Sequence, residues 1–380
     1  MKHQSKLPNT GTTIFTIMST LANEYNALNL SQGFPNYPSD SKLNDLVSQA
    51  MNNGYNQYAP MAGNLDLRLA ITHKYNLIYD STYHPENEIT ITAGATQAIF
   101  TIISTFINEN DEVILFKPAY DCYEPAVILN RGKPIGIELN APDYNVDWEE
   151  VATKISSKTK MIIINTPHNP TGSIWSKEDL LQLQSLTENT NIIILSDEVY
   201  EHIVFDNEMH YSVCLFEDLK KRSFITASFG KTFHNTGWKI GYCCAPKALM
   251  EEFRKVHQFN VFSVNHPAQK GLADYMEDES TYLGLSEFFQ QKRDLFLNLI
   301  ENSRFKFKPS QGTYFQVLDY SNITDEYDVD FAKRLTKEDK IASIPLSVFY
   351  DKKKNDKALR FCFAKTDETL IKAAEILCKI

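Results

Sequence analysis

The sequence predicts an α/β chain with a mostly parallel central sheet covered by helices, followed by a smaller α+β lobe. Three observations lead there. Short apolar runs in the middle of the chain, EVILF (112–116), MIIIN (161–165), NIIILSDE (191–198) and SFITAS (223–228), lack the polar alternation of a half-exposed strand. Strands buried on both faces read this way, and they belong to parallel sheets with helices on either side. Helix-like stretches such as 177–188 separate the runs and supply the crossovers that parallel pairing requires. The pattern then changes in the last third, which reads as helices and strands of a second lobe.

Taken in order, the first forty residues are rich in Asn, Ser, Thr and Pro and are expected to wrap irregularly onto that lobe. The expected division is an N-terminal segment (1–44), a large domain (45–275) and a small domain (276–380). ITIT (89–92) precedes the four apolar runs of the large domain. In the small domain, 286–301 and 328–338 read as amphipathic helices. GTYFQVLDY (312–320), IASIPLSVF (341–349) and ALRFCFA (358–364) read as strands, and 366–379 as a closing helix.

Composition removes several function classes. A chain of 380 residues can bury a large core. Its net charge of −10 argues against nucleic acid, whose phosphates need a basic face. No apolar run reaches the length of a membrane span, and the start, MKHQSKLPNTG, lacks the apolar core of a signal peptide. The six cysteines are scattered, and adjacent Cys243 and Cys244 would point to opposite faces of a strand, which suits packing rather than a disulfide framework. The nine histidines show no metal-ligand spacing, so no metal is expected. A reducing cytoplasm is the expected location.

Ligands of open parallel sheets bind at the carboxyl ends of the strands. After ITIT comes AGATQA, small residues opening a helix; after MIIIN comes TPHNPTG; after NIIIL comes SDEVY; after FITAS comes FGK, which carries Lys231. The free amides around Thr96 suit a phosphate, although an ordinary helix start capped by Thr reads the same way. Asp197 closes an apolar run, so its carboxylate needs a partner, either a structural cation or a protonated ring nitrogen. Asn169 and Tyr200 offer hydrogen bonds to an oxygen beside such a ring. Lys231 stands among Ser228, Gly230 and Thr232, with Lys239 eight residues on. A solvated surface lysine is the plain alternative, but desolvation and a nearby cation would make this one nucleophilic. Pyridoxal 5'-phosphate is the common cofactor that needs a phosphate site, a ring-nitrogen partner, a ring-oxygen partner and a lysine together.

NPTG (169–172), SDEVY (196–200) and SFGKTFHNTGWKIGY (228–242), in this order and spacing, resemble the signature of fold-type I pyridoxal-phosphate aminotransferases of class I/II. NLSQGFPNYP (29–38), NQYAPMAG (56–63), KPAYDCYEPA (117–126) and IPLSVF (344–349) resemble the branch of kynurenine and glutamine aminotransferases. GTTIF, NLSQGFP, NQYAPM, TPHNP and KVHQF look most similar to bacterial methionine aminotransferases. The resemblance implies that Lys231 bonds the cofactor aldehyde and acts as the catalytic base. It implies that Asp197 pairs with the ring nitrogen, and that Asn169 and Tyr200 hold the ring oxygen. Gly94, Ala95, Thr96, Ser228 and Lys239 form the phosphate cup, and Tyr120 stacks on the ring. Lys239 stands where many relatives carry arginine, so charge is kept without the forked geometry. Arg360, with Gly33 and Asn169, clamps the substrate carboxylate. Tyr58 reaches the neighbouring subunit's phosphate, implying a homodimer with shared sites. Phe15 and Tyr37 are candidate walls for the substrate side chain. The implied reaction is ping-pong amino transfer from methionine, aromatic amino acids, kynurenine or glutamine to a 2-oxo acid. A β-eliminating carbon–sulfur lyase on the same fold is the enzymatic alternative. A non-catalytic regulator is the alternative from another class, and the acidic chain has no room for its DNA-binding domain.

Overall fold

The computed structural model describes residues 4–351 and 354–380. In chain order its strands are β1 (Leu28–Asn29), β2 (Ile89–Thr92), β3 (Glu112–Lys117), β4 (Lys133–Glu138), β5 (Thr159–Asn165), β6 (Ile193–Asp197), β7 (Ser223–Ser228), β8 (Gly241–Cys244), β9 (Phe315–Asp319), β10 (Ile341–Ala342), β11 (Ile344–Pro345) and β12 (Ala358–Cys362). Seven of them form the central sheet in the order β2-β8-β7-β6-β5-β3-β4. β3 to β7 run parallel, and β8 lies antiparallel between β7 and β2. The four apolar runs are the strands they were expected to be. Their lack of alternation has a direct cause, because both faces of the sheet are covered. Ile114, Ile162, Ile194 and Cys244 pack into the apolar layer on one face, and Val113, Ile163, Leu195 and Cys243 into the layer on the other. The paired cysteines thus alternate across the sheet, and both are free thiols.

The helix Lys177–Thr187 makes the crossover between β5 and β6, and its start carries a reciprocal Ser176–Asp179 capping box. In the last third, β9, β11 and β12 make a three-stranded antiparallel sheet with β12 in the middle. The helices Leu285–Ile300 and Asp367–Leu377 pack against each other beside it.

Three segments depart from the sequence reading. Residues 14–24 are helical, not irregular: Thr13 caps the helix Ile14–Glu24, whose buried Met18 and Ala22 lie one turn apart. The chain then enters β1, which pairs in parallel with β10. IASIPLSVF is not one strand. The segment breaks at Ser343 into β10 and β11, and after Pro345, which has no N–H to extend a ladder, it passes into a 3-10 turn at Leu346–Phe349, where Ser347 is tied to Asp328 through its amide and hydroxyl. The helix expected over 328–338 is α-helical only for Asp328–Arg334 and widens to a π turn over Leu335–Asp339. Among the described residues, no helix is long and apolar enough to cross a membrane.

The helix Ser41–Asn52, which spans the expected boundary at 45, packs on the helix His266–Tyr275. Gly271 makes the approach possible: a Cβ there would lie 2.4 Å from Val47 Cγ2, 2.9 Å from Val47 N and 3.0 Å from Val47 Cα. Alanine at 271 gains about 1 kcal/mol of helix propensity. Overpacking against backbone that cannot swing away costs about 1–3 kcal/mol. Gly271→Ala is therefore expected to lower the thermal midpoint, and a raised midpoint would contradict this account of the interface.

Candidate active site

The carboxyl ends of β2, β3, β5, β6 and β7 meet at one edge of the sheet. Because β8 runs the other way, its first residue, Gly241, stands at that same edge, opposite Thr92 and Ser228. A cleft of about 680 Å³, counted out to solvent, opens there. Residues Gly94, Ala95 and Thr96 line it beyond β2, Tyr120 and Tyr123 beyond β3, and Asn165 and Asn169 at the end of β5. Asp197, Val199 and Tyr200 enter from β6, Ser228 and Lys231 from β7, and Thr236 and Lys239 from the turn before β8.

One end of the cleft is built to hold an anion. The helix Gly94–Phe106 starts there, and its N-cap, Ala93, has no side-chain cap, so Thr96 is not the capping residue. The first amides of a helix have no acceptor within it and point outward. Gly94 has φ +74°, and a Cβ on it would come within 3.4 Å of Lys239 Nζ. A Cβ on Gly241 would lie 2.5 Å from Ala227 O and 2.9 Å from Ala95 N. Glycine at both positions lets β8 close against the helix start and brings the Lys239 ammonium to the exposed amides.

Asp197 is deeper, with 4% of its surface exposed. Tyr123 donates its hydroxyl to Oδ2 at 2.6 Å, and the Val199 amide donates to Oδ1 at 3.3 Å. Burial pushes the carboxyl up to about 6, and the Tyr123 hydrogen bond pulls the other way. The loop that carries Asn169 is pinned to this strand end, since Asn165 accepts from the Asn169 amide at 2.9 Å and donates to the Asp197 carbonyl at 2.8 Å.

Lys231 sits in the short helix Phe229–Thr232 directly after β7. Its amine donates to the Gly33 carbonyl at 3.1 Å and to the Tyr314 hydroxyl at 3.0 Å. Burial lowers its pKa to about 8, and the Arg360 and Lys239 charges push in the same direction. Arg360, in the central strand of the small sheet, is 1% exposed. Nη1 donates to Asn169 Oδ1 at 2.7 Å and Nη2 to the Ser31 carbonyl at 3.0 Å, while Nε is buried without a partner. Its Cζ lies 3.9 Å from the centre of the Phe315 ring. A buried guanidinium bonded only to neutral oxygens is poised for a carboxylate.

Ten of the residues singled out in the sequence thus line one cleft: Gly94, Ala95, Thr96, Tyr120, Asn169, Asp197, Tyr200, Ser228, Lys231 and Lys239. Gly33 and Arg360 join it through Lys231 and Asn169. Phe15 lies beside Arg360, 5.2 Å from Cζ to ring centre, and 5.9 Å from Phe349. Tyr37 does not line the cleft. Its ring meets His234 at 5.2 Å and Phe288 at 5.8 Å, and its hydroxyl is buried without a partner. Tyr58 is also outside it, 82% exposed and edge-on to Phe262. Sequence reasoning missed Tyr123, Asn165, Val199, Thr236 and Tyr314. Asn165, Val199, Thr236 and Tyr123 lie inside stretches already marked, MIIIN, SDEVY, SFGKTFHNTGWKIGY and KPAYDCYEPA, without having been singled out, and Tyr314 lies in a stretch read only as a strand.

Residues 25–377 match the class I and II aminotransferases, and the chain belongs to that family. It is 45% identical over 375 residues to the methionine aminotransferase of Escherichia coli (strain K12), covering 98% of this chain and 97% of the relative. It is 34% identical over 388 residues to kynurenine–oxoglutarate transaminase 3 of Homo sapiens, covering 94% and 86%. A solved structure of YbdL from Escherichia coli, reported to identify a methionine aminotransferase function, superposes over 100% of both chains with a TM-score of 0.98 at 45% identity. N-succinyldiaminopimelate aminotransferase from Mycobacterium tuberculosis superposes over the same span with a TM-score of 0.96 at 31% identity. The resemblance read from the motifs is borne out, and the chain is a transaminase of this fold.

The Asp197 carboxyl makes a pH prediction. Its folded pKa is raised above the ordinary carboxylate value, so the neutral form is the one the fold favours. The stability it contributes is fully present below about pH 4 and is lost as pH rises through about 6. In cofactor-free protein, wild type should lose about 1–3 kcal/mol relative to Asp197→Asn across that window, measured by urea unfolding. Parallel pH profiles for the two proteins would show that Asp197 is not held in this way.

Proposed function

We propose that this aminotransferase uses pyridoxal 5'-phosphate and takes methionine as a principal amino donor, with aromatic amino acids, kynurenine or glutamine as further donors to a 2-oxo acid. The observation that carries the reading is the meeting, in one cleft, of a half-buried lysine of lowered basicity, a buried carboxylate and an anion cradle. Those groups fit the cofactor's aldehyde, ring nitrogen and phosphate. When bound, the cofactor supplies an aldehyde for the amino group and a ring that takes up the electron pair left at Cα.

The chain's own groups then divide the work. Gly94, Ala95, Thr96, Ser228 and Lys239 hold the phosphate, and Tyr120 covers the ring. Asp197 holds the proton on the ring nitrogen. Asn169 turns its Oδ1 to Arg360, which leaves its amide hydrogens for the ring oxygen beside Tyr200. Arg360 orients the substrate carboxylate. Lys231, held near neutrality by burial, takes the Cα proton and returns it one carbon away. A homodimer in the cytoplasm is part of the proposal. Its support is the exposed apolar face of Tyr58, Phe259 and Phe262, with Phe259 86% exposed. The division into an N-terminal segment, a large domain and a small domain is likewise proposed, with substrate held between sheet and small lobe.

Donor choice follows from the walls. Phe15, Phe315 and Phe349 surround Arg360 with aromatic surface, and thioethers make favourable contacts with rings. Among the described residues, the cations lining the cleft are Lys231 and Lys239, and both are assigned here to the cofactor rather than to a distal carboxylate. Pocket fit separates similar apolar side chains by only about 1–3 kcal/mol, so donors should be several. With one fixed 2-oxo acid, kcat/KM for methionine should exceed that for aspartate, with phenylalanine, tyrosine or kynurenine comparable to or weaker than methionine. Aspartate outperforming methionine would overturn the donor assignment.

A further inference from the structure

Tyr314 is absent from the cleft lining, yet it makes the contact that most constrains Lys231. The Lys231 amine donates to the Tyr314 oxygen at 3.0 Å and to the Gly33 carbonyl at 3.1 Å, and the Tyr314 hydroxyl donates to that same carbonyl at 2.6 Å. The three polar groups close a triangle. Because the tyrosine hydrogen is spent on Gly33, the lone pairs of its oxygen are left for the amine, and the hydroxyl acts toward Lys231 as an acceptor.

The tyrosine itself has little freedom. It is fully buried, with ring centres 5.1 Å from Tyr200, 5.0 Å from Phe315 and 5.6 Å from Phe289. Thr313 before it adopts φ +66° and donates its amide to Ile203 O at 2.9 Å, and the Phe363 amide donates to the Tyr314 carbonyl at 3.0 Å. Gly33 is equally fixed, because a Cβ there would lie 2.7 Å from the Phe315 ring. Both acceptors are therefore rigid, and whatever bonds to them is placed by them.

The geometry points to Tyr314 as a positioning residue: its hydroxyl, oriented by the Gly33 carbonyl, fixes where the Lys231 amine rests between removing the Cα proton and returning it. This rests on the reading of Lys231 as the proton carrier. The step balances simply. The amine lone pair takes the proton, the C–H electron pair stays behind, and the ammonium so formed has three N–H bonds. Two point to Gly33 and Tyr314, and the third is left to deliver. Without the Tyr314 oxygen, rotation about Cε–Nζ is no longer fixed. The ammonium form also loses one of its two acceptors, so the amine becomes less basic.

The test is Tyr314→Phe in the holoenzyme. Absorbance and cofactor content should match wild type, and binding of 2-methylmethionine, which has no Cα proton to lose, should change by less than about twofold. The half-reaction with methionine should slow by about ten- to a hundredfold. Its primary isotope effect with Cα-deuterated methionine should rise, and the acid limb of its pH profile should move to lower pH. If the phenylalanine variant loses cofactor or fails to fold, Tyr314→meta-fluorotyrosine keeps the ring and hydroxyl but weakens the acceptor, and should shift both readouts the same way by less. An isotope effect and acid limb identical to wild type overturn the inference, even if the rate falls. A wild-type protein that binds no cofactor and shows no isotope effect would instead overturn the reading of Lys231.

Discussion

Unpaired charge kept out of water is the constraint on which this molecule's site depends. Asp197 and Arg360 are buried and Lys231 is half-buried, and each is held by hydrogen bonds to neutral groups rather than by an opposite charge. An uncompensated buried charge costs several kcal/mol, which a structural residue would avoid by pairing. Some other buried charges are paired, as where Lys74 lies against Glu201 and Arg293 forks onto Asp206, while Asp328 and Lys365, like the three of the cleft, are met by neutral groups, Ser347 and the Phe34 carbonyl. What sets Lys231, Asp197 and Arg360 apart is that they gather around one cleft, where each shifts toward neutrality. The depressed Lys231 and the raised Asp197 are the same desolvation acting on opposite signs.

Holding those groups requires backbone to come unusually close at one sheet edge. Reversing β8 puts Gly241 beside the start of the helix Gly94–Phe106, and only glycine fits there. Arg360 then joins three distant parts of the chain, because it bonds Ser31 of the N-terminal segment and Asn169 of the loop after β5 while stacking on Phe315 of the small sheet. The site is thus not carried by the central sheet alone. It exists where the small sheet and the N-terminal segment press on the central sheet.

The parallel sheet was legible because burial on both faces leaves its mark on every strand, as in MIIIN and NIIIL. The polar residues just beyond those strands were legible for a related reason, since a strand end is a fixed address. What comes from another unit was not. Tyr314 reaches Lys231 from just before β9, 83 residues away in sequence, and Tyr123, at the start of the helix after β3, meets Asp197 only because β3, β5 and β6 are neighbours in the sheet. Spacing does not carry such contacts. The helix Ile14–Glu24 was hidden by a polar neighbourhood, although Thr13 and the Ile14/Met18/Ala22 spacing are its signal. IASIPLSVF looked continuous because its apolar pattern survives the break at Ser343 and the turn after Pro345.

The central claim is that Lys231, out of 38 Lys and Arg residues, is the one whose amine bonds the cofactor. Borohydride fixes such a bond irreversibly. The cofactor-loaded protein, expected to be yellow, should be reduced, digested and mapped by mass spectrometry. The account expects loss of colour, with the cofactor's mass on the peptide containing Lys231 and on no other. Attachment at Lys239 or at a surface lysine, or a colour that survives reduction, would contradict it.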